Sequence, residues 1–382
     1  MLFTLTRLFS YFVVLLAAPQ LAQAQVYTGP QDSRLVDELS LHFVTNGIST
    51  TPEGRLFLVV SGVDGNTGPK VVEYNRTTNS STAYPNQEWN SYAAGKDPAT
   101  HFGNINSQRI GPDGHLYLVD TVTLGILAPT MEPCGPKLVQ VDLSTNAVSK
   151  VYCMGSATFT TSFLDDVRFH PASGTAYLTD AGSRAGLIVL SMASGEVRRM
   201  LNNHPSTKQY LPVSAEGTTM RMNEKPVYVY ADQLEVSPNA KYLYFEPASG
   251  GMCRIDTLHL DQAFYNSSLN TNEVLGSFVE VFAHTPSTGG TAIDADGNVY
   301  NSDTDSQRII KIFPNGTMTT LIQDPRLLWV DAMWVDTSGK LWMPAAQLNR
   351  GIPFNNGTNL VREPVHVYTI DIGVGPSPID HA

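Results

Sequence analysis

One pattern recurs six times along this chain of 382 residues and limits the folds that the chain can adopt. Each copy has a polar residue, an alternating strand, a turn rich in Pro, Asp and Gly, and a second apolar strand, as in NSQRIGPDGHLYLV from Asn106. A further strand or hairpin follows each copy and completes a four-stranded antiparallel unit. The copies begin at Asn46, Asn106, Asp165, Asp232, Gly289 and Asp331.

A single sheet of this kind cannot bury both of its faces. Six sheets around one axis pack on their neighbours and protect most strand edges. We therefore predict an all-β fold, a six-bladed β-propeller with four-stranded antiparallel blades. The alternative, a pair of β-sandwiches, explains the short strands but not the repeated pattern. The last copy is one strand short, and we expect residues 35–44 to supply its outer strand and close the ring.

The first 24 residues predict an export signal. Arg7 precedes a mostly apolar stretch over residues 8–18, and residues 22–24 read Ala-Gln-Ala, a small-x-small cleavage pattern. A transmembrane anchor is the alternative, but the apolar run is shorter than the ~20 residues that a spanning helix needs. We predict a signal peptide over residues 1–24, one propeller domain over residues 25–382, and a secreted, vesicular or extracellular destination.

Two further features agree with export. Cys134 and Cys153 flank a predicted hairpin whose two ends meet, so we predict a disulfide between them, as an oxidising compartment allows. Cys253 is interpreted as a small buried hydrophobic residue. Five Asn-x-Ser/Thr patterns in polar, turn-rich stretches predict N-glycosylation. They are at Asn75, Asn79, Asn266, Asn315 and Asn356.

The net charge of the chain limits the classes of molecule that we expect it to bind. It carries 24 Lys and Arg against 35 Asp and Glu, a formal net charge of -11 at pH 7. This excess repels the phosphates of nucleic acids and anionic lipid surfaces. We therefore expect small-molecule partners, without nucleic acid or membrane, and the oligomeric state stays open.

The first residue of each copy falls at the start of an innermost strand, so the six side chains should converge around the central channel. Packing alone would favour Val, Ala or Ile, whereas this column holds three carboxylates and two amides. Such groups are costly to bury unless water, a cation or a polar ligand satisfies them. We interpret the channel as functional, and a merely water-filled pore is the alternative. Two residues further on, a mostly apolar layer is expected to form a floor. It comprises Ile48, Gln108, Val167, Leu234, Thr291 and Met333.

Other polar and aromatic residues are candidates near the mouth. The nine histidines show no metal-binding spacing. His101 and His284 lie on loops that lead into channel strands, and Trp329 is the candidate aromatic wall. The carboxylates at the ends of three second strands are interpreted instead as acceptors for turn amides. They are Asp120, Asp180 and Asp303.

Five stretches of the chain together carry a resemblance to a known family. They are AYPNQEWNSY (83–92), GHLYLVDTVTLG (114–125), CGPKLVQVDLSTNAV (134–148), FLDDVRFHPASGTAYLTDAGSRAGLIVLSMASGEVRRML (163–201) and ADQLEVSPNAKYLYFEPASG (231–250). With these stretches the chain resembles the major royal jelly protein/yellow family, collinearly over about residues 35–372. The resemblance implies a secreted six-bladed propeller. The yellow branch is associated with pigment chemistry on small aromatic compounds, and other members are binding or nutrient proteins, so the family does not fix a reaction.

Within this family the chain looks similar to a fungal branch that includes the hetero-Diels–Alderases of tropolone sesquiterpenoid biosynthesis. By analogy of family and length, this implies dehydration of a hydroxymethyl-tropolone to a quinone methide. A [4+2] addition to a humulene-type sesquiterpene then follows, without a cofactor. Dehydration needs a general acid, for which Asp232, Asp331 and His284 are the candidates. The candidates for substrate binding are Asn46, Asn106, Gln108, Asp165, His101 and Trp329.

Two other functions stay open. Gluconolactonase-type propellers resemble this layout and hold a divalent cation with carboxylate and amide ligands, as Ca²⁺ would accept from the first column. Its ligands would be Asn46, Asn106, Asp165 and Asp232. Against this reading, Asn46 stands where that family uses a glutamate. The other alternative is a non-catalytic, secreted small-molecule binding protein.

Overall fold

Six four-stranded antiparallel sheets form the computed structural model, which describes residues 26–93, 95–122 and 134–381. Their innermost strands contact one another in succession around an axis, so the sheets are the blades of a β-propeller. The predicted six-bladed fold is confirmed. The predicted signal peptide over residues 1–24 lies outside the described residues.

The blades are numbered in chain order, with strands given from the channel outward. Blade 1 has Thr45–Thr50, Leu56–Val60, Val71–Asn75 and Ser80–Ala83; blade 2 has Ile105–Ile110, Leu116–Asp120, Lys137–Asp142 and Ala147–Cys153; blade 3 has Leu164–His170, Thr175–Asp180, Gly186–Ser191 and Val197–Met200. Blade 4 has Ala231–Val236, Tyr242–Pro247, Met252–Asp256 and Glu280–Ala283; blade 5 has Thr291–Ile293, Val299–Asp303, Arg308–Ile312 and Met318–Gln323; blade 6 has Trp334–Val335, Lys340–Pro344, Val365–Asp371 and Val36–Leu41.

Blade 6 closes the ring with a strand from the start of the fold. Val36–Leu41 pairs antiparallel with Val365–Asp371, so that Leu41 lies opposite Val365. Leu39 and Leu41 are buried in the apolar cluster shared with blade 1, which anchors the closing strand by burial of its inward face. The predicted closure by residues 35–44 is confirmed, with a shorter strand than that range.

The innermost strands of blades 1 to 4 each carry a bulge near their start. In blade 2 the register shifts between Ile105 and Ser107, and blades 1, 3 and 4 shift at the equivalent place. A bulge sets two residues against one on the partner strand, so the strict alternation of side chains is interrupted there. Positions counted by a period of two from the first column therefore turn away from the channel.

Additional short elements connect the blades. Two small hairpins precede blade 4 and are formed by Ser214–Ala215 with Thr218–Thr219 and by Arg221–Met222 with Lys225–Pro226. The α-helices are Thr257–Tyr265 and Asn272–Leu275, and the 3₁₀ turns are Pro98–Thr100, Gly155–Ala157, Gly276–Phe278, Leu348–Arg350 and Ile352–Phe354. In the described part of the chain, no helix combines the length and apolar character needed to span a lipid bilayer.

The cysteines follow the sequence prediction. Cys134 and Cys153 form a disulfide with their Cα atoms 4.8 Å apart. Lys137 pairs with Cys153 across the hairpin of blade 2, which is why the two ends meet. Cys253 is unpaired and buried. The five asparagines of the glycosylation patterns are all exposed, and their modification stays a prediction.

The three aspartates at the ends of second strands accept hydrogen bonds from turn amides, as predicted. Asp120, Asp180 and Asp303 are each almost fully buried. Their respective backbone donors include Gly103 at 3.0 Å, Phe163 at 2.8 Å and Ser306 at 2.9 Å. These carboxylates fix the loops that lead into and out of the strands beside the channel.

Candidate functional site

A cavity of about 370 Å³ lies at one end of the central channel, which we call the mouth end. This volume is in the range of small-molecule sites. All six residues of the first repeated column line it, since each stands at or just before the start of an innermost strand. They form what we call the polar ring: Asn46, Asn106, Asp165, Asp232, Gly289 and Asp331.

One side of the polar ring is a chain of amide hydrogen bonds. The Nδ2 of Asn46 donates to the backbone oxygen of Asn106 at 2.9 Å. The Nδ2 of Asn106 donates in turn to Oδ1 of Asp165. The Oδ1 of Asn46 is buried and has no hydrogen-bond partner in the structure. An orphaned acceptor of this kind is costly, and a donor on a bound ligand would satisfy it.

The other side of the ring holds Asp331, whose proton affinity is tuned to neutral pH. Burial raises the pKa of this carboxyl to about 7. Two donors act in the opposite direction: the backbone N–H of Ala332 at 2.9 Å from Oδ1 and the indole Nε1 of Trp329 at 2.8 Å from Oδ2. Asp331 is therefore partly ionised at pH 7, and Trp329 is both a wall of the cavity and a hydrogen-bond donor to it.

Asp232 is the neighbouring carboxyl of the ring, and its surroundings favour the protonated form. Burial raises its pKa well above the usual range, and the negative charge of Asp331 raises it further. The side chain of Gln233 donates to Oδ2 of Asp232 at 2.8 Å and only partly offsets these effects. Two carboxyls with different proton affinities in one cavity are suited to act as an acid and a base.

Glu246 is a third acidic group that the repeat pattern did not single out. Ala231 pairs with Pro247 across blade 4, so Glu246 lies opposite the bulge that carries Asp232. It is fully buried and accepts a hydrogen bond from Nδ2 of Asn301 at 2.7 Å. Burial raises the pKa of Glu246 to about 8. A lone carboxyl in the apolar strand YLYFEP was the sequence signal that could have identified it.

The apolar lining comes from above the ring. Val213, Met220, Val227 and Val229 belong to the segment with the two small hairpins, and Leu348, Pro353 and Phe354 come from the loop inserted in blade 6. Together with Trp329 these residues form what we call the apolar cover. Lys70 also lines the cavity and supplies its one cationic side chain within the described ranges. Apart from Trp329, neither the cover nor Lys70 was predicted, because these residues lie outside the repeated pattern.

The predicted apolar floor is not part of the cavity. None of Ile48, Gln108, Val167, Leu234, Thr291 and Met333 lines it. Gln108 instead donates from Nε2 to the backbone oxygen of Phe57 in blade 1 at 2.6 Å, so it links two blades. In blades 1 to 4 the bulges explain this difference, because there the position two residues after the ring turns into the blade interface.

The two candidate histidines do not reach the cavity either. His284 is exposed and follows the outermost strand of blade 4, so its loop only arrives at the channel several residues later, at Gly289. His101 folds back on its own turn, with Nδ1 3.0 Å from the backbone oxygen of Asp97. Their place on loops before channel strands was not sufficient to position either ring at the mouth.

Comparisons with known proteins agree with this architecture. The family model "Major royal jelly protein" matches residues 109–362. No curated protein matches the sequence. A luciferin-regenerating enzyme has a similar structure, with a TM-score of 0.54 and 15% identity over 90% of this chain and 96% of the other.

Two further solved structures share the fold. The calcium-binding protein regucalcin from Agrobacterium tumefaciens gives a TM-score of 0.53 at 12% identity, covering 92% of this chain and 96% of the other. A gluconolactonase from Xanthomonas campestris gives 0.50 at 11% identity, covering 88% and 89%. At these identities the similarity establishes the propeller and leaves the chemistry to the residues of the cavity.

Proposed function

We propose that this chain, which belongs to the major royal jelly protein family, is a cofactor-independent hetero-Diels–Alderase. Its substrates would be a hydroxymethyl-tropolone and a humulene-type sesquiterpene. The observation that carries the proposal is the pair of cavity carboxyls, Asp232 and Asp331, under an apolar cover. Propellers of similar structure include enzymes, which supports the proposal of a catalytic cavity.

The pair suits a dehydration in which acid and base act together. Asp232 donates its proton to the leaving hydroxyl while the C–O bond breaks and water departs. The Asp331 carboxylate accepts the proton of the tropolone hydroxyl, which leaves a neutral quinone methide. A proton transfer from Asp331 to Asp232 then restores the starting state. No external oxidant, reductant or metal ion is needed for this balance.

The second step joins two molecules without loss of atoms. The exocyclic carbon and the oxygen of the quinone methide each form a bond to one alkene carbon of the terpene. The apolar cover, including Met220 and Phe354, supplies a surface for the hydrocarbon and keeps bulk water from the short-lived intermediate. Lys70 and the amides of Asn46 and Asn106 are the groups suited to bind the tropolone oxygens.

The first step has its own test. The purified protein is incubated with the tropolone alcohol and a small thiol but no terpene, and the products are weighed by mass spectrometry. We expect an adduct with the mass of both molecules minus one water, because the thiol captures the quinone methide. Formation of this adduct at the rate seen without protein would contradict the proposed dehydration.

The pH dependence of this reaction follows from the two carboxyls. We expect kcat/KM to rise with pH through about 7, as burial-shifted Asp331 ionises and becomes the base. It should fall again at higher pH, when Asp232 loses the proton that it donates, because the pKa of Asp232 is raised well above its usual range. A rate profile without an acidic limb near pH 7 would exclude Asp331 as the base.

Trp329→Phe should move that acidic limb. The substitution removes the indole N–H that bonds Oδ2 of Asp331 at 2.8 Å and that lowers its pKa. Without this donor the limb should shift to higher pH by about one pH unit. Trp89→Phe, which alters an indole that does not line the cavity, is the control and should leave the profile in place. An unmoved limb in both variants would show that the indole does not tune Asp331.

The alternative function, a metal-dependent lactonase, can be compared with the geometry of the polar ring. The unpartnered Oδ1 of Asn46 would suit a cation. However, Asn106 turns its amide nitrogen toward Asp165, and N–H donors bind both oxygens of Asp331. Within residues 26–93, 95–122 and 134–381, no group of three or more His, Cys, Asp or Glu is arranged to hold a metal ion. These contacts support the proposed dehydration better than a Ca²⁺ site.

Metal removal separates the two functions. We expect dialysis against EDTA to leave the formation of the terpene adduct unchanged, since no step of the proposed chemistry uses a cation. The same samples should show no hydrolysis of gluconolactone before or after Ca²⁺ is added. Loss of activity on dialysis with recovery on addition of Ca²⁺ would support the lactonase instead.

A further inference from the structure

A layer of buried charges lies beyond the polar ring, on the side away from the mouth. Arg168 donates from Nη1 to Oδ2 of Asp166 at 2.7 Å and from Nη2 to Oε1 of Glu235 at 2.7 Å. Arg109 donates from Nη2 to Oδ2 of Asp380 at 2.7 Å and from Nε to Oδ1 at 3.0 Å. All five side chains are buried. Arg109, Arg168 and Glu235 each stand three residues after a ring position, where the bulges return the side chain to the channel.

Asp380 belongs to a segment, residues 376–381, that reaches blades on different sides of the ring. Pro376 forms a β-bridge with Asp294, next to the innermost strand of blade 5. Ile379 packs on the apolar cluster of blades 3 and 4. His381 stacks on Trp334 of blade 6, with ring centroids 3.7 Å apart. A segment this short can touch blades so far apart around the ring only by lying on the propeller axis.

His381 links Asp380 to the innermost strand of blade 6. Its Nδ1 lies 2.9 Å from Oδ2 of Asp380, and its Nε2 lies 2.7 Å from the backbone oxygen of Val335. Burial opposes the charge of Asp380, but Arg109, His381 and Arg168 hold the pKa of this carboxyl well below its usual range. Both nitrogens of His381 thus lie within hydrogen-bond distance of oxygen atoms, one of Asp380 and one of Val335.

We propose that residues 376–381 form a plug that closes the far end of the channel, and that Asp380 and His381 lock it onto the buried arginines. Among the described residues, the plug then leaves the mouth end, beside the two loop segments of the apolar cover, as the way into the cavity. Ser377, Asp380 and His381 are each less than 5% exposed, which is the burial that a seated plug requires. This inference does not depend on which reaction the cavity catalyses.

Accessibility of a cysteine inside the charged layer tests the plug. Thr291 is 1% exposed and its hydroxyl donates to Oε1 of Glu235 at 2.9 Å, so Thr291→Cys places a thiol beneath the plug. The buried thiol of Cys253 is removed by Cys253→Ala. We expect N-ethylmaleimide to label this protein slowly, and to label the same protein ending at Gly375 at least roughly tenfold faster while it remains folded. Equal labelling rates of the two folded proteins would overturn the plug.

A second variant covers the case in which the shortened chain does not fold. Asp380→Asn removes the carboxylate that both buried arginines and His381 share, so it should speed labelling several-fold and lower the unfolding midpoint by roughly 5–10 °C. Asp296→Asn is the matched control, because Asp296 is exposed on the turn beside the plug and makes no contact with the charged layer. Labelling of the Asp380→Asn protein at the control rate would contradict the lock even where the shortened chain cannot be studied.

Discussion

Asp232→Asn should lower kcat by roughly 10²–10⁴-fold while the protein folds normally. The amide keeps the size of the side chain and the hydrogen-bonding position beside Gln233. It cannot deliver a proton to a leaving hydroxyl, whereas burial raises the pKa of the Asp232 carboxyl and favours the protonated form that can. Steady-state kinetics with the tropolone alcohol, together with thermal unfolding, measures both effects.

Asp261→Asn is the control for this experiment. Burial also raises the pKa of Asp261, but this carboxyl lies on the helix of blade 4 and does not line the cavity. A catalytic role of Asp232 therefore predicts a large loss in one variant and little change in the other. Unchanged turnover of Asp232→Asn would remove this residue from the mechanism and leave Asp331 as the remaining acid.

Arg168→Met should destabilise the fold by about 3–5 kcal/mol. The guanidinium is fully buried and is the direct partner of both Asp166 and Glu235. Methionine fills similar space but leaves these two buried carboxylates without their cation, and the cost of an uncompensated buried charge is large. The free energy of unfolding in urea, compared with that of the unaltered protein, gives the measurement.

Arg254→Met is the control for Arg168→Met, because it removes the same charge from an ion pair that is less buried. Arg254 pairs with Glu280 at 2.8 Å, but Arg254 is only partly buried and Glu280 is exposed to solvent. Exposed ion pairs contribute about 1 kcal/mol or less, so this variant should unfold close to the unaltered protein. Equal losses for the two arginines would mean that the buried layer beneath the polar ring has no special role in stability.

The fold could be predicted from the sequence because each blade repeats the same local sequence pattern. The turn after each innermost strand and the apolar strand that follows recur with little change, so six copies indicate six blades. The closing strand, Val36–Leu41, could be predicted because the last copy had only three strands and this segment belonged to no other blade. The polar ring followed from the same alignment, because Asp232 and Asp331 occupy equivalent positions at strand starts.

The rest of the site depends on features that have no local signature. Bulges moved Gln108 into a blade interface and brought Arg109 to the channel, and no residue type near them marks a bulge. The cover residue Phe354 comes from a loop outside the repeat. Asp380 contacts Arg109, which lies 271 positions away in the sequence. Local sequence patterns do not predict a contact between residues so far apart.

The most direct measurement is the reaction of the purified protein with a hydroxymethyl-tropolone and humulene together, followed by chiral chromatography and mass spectrometry. We expect one stereoisomer of an adduct whose mass is the sum of the two substrates minus one water. We also expect that Asp232→Asn loses this product while Asp261→Asn retains it. A protein that retains an aromatic ligand but never forms the adduct, or that forms it as a racemate at the uncatalysed rate, would contradict the proposed catalysis.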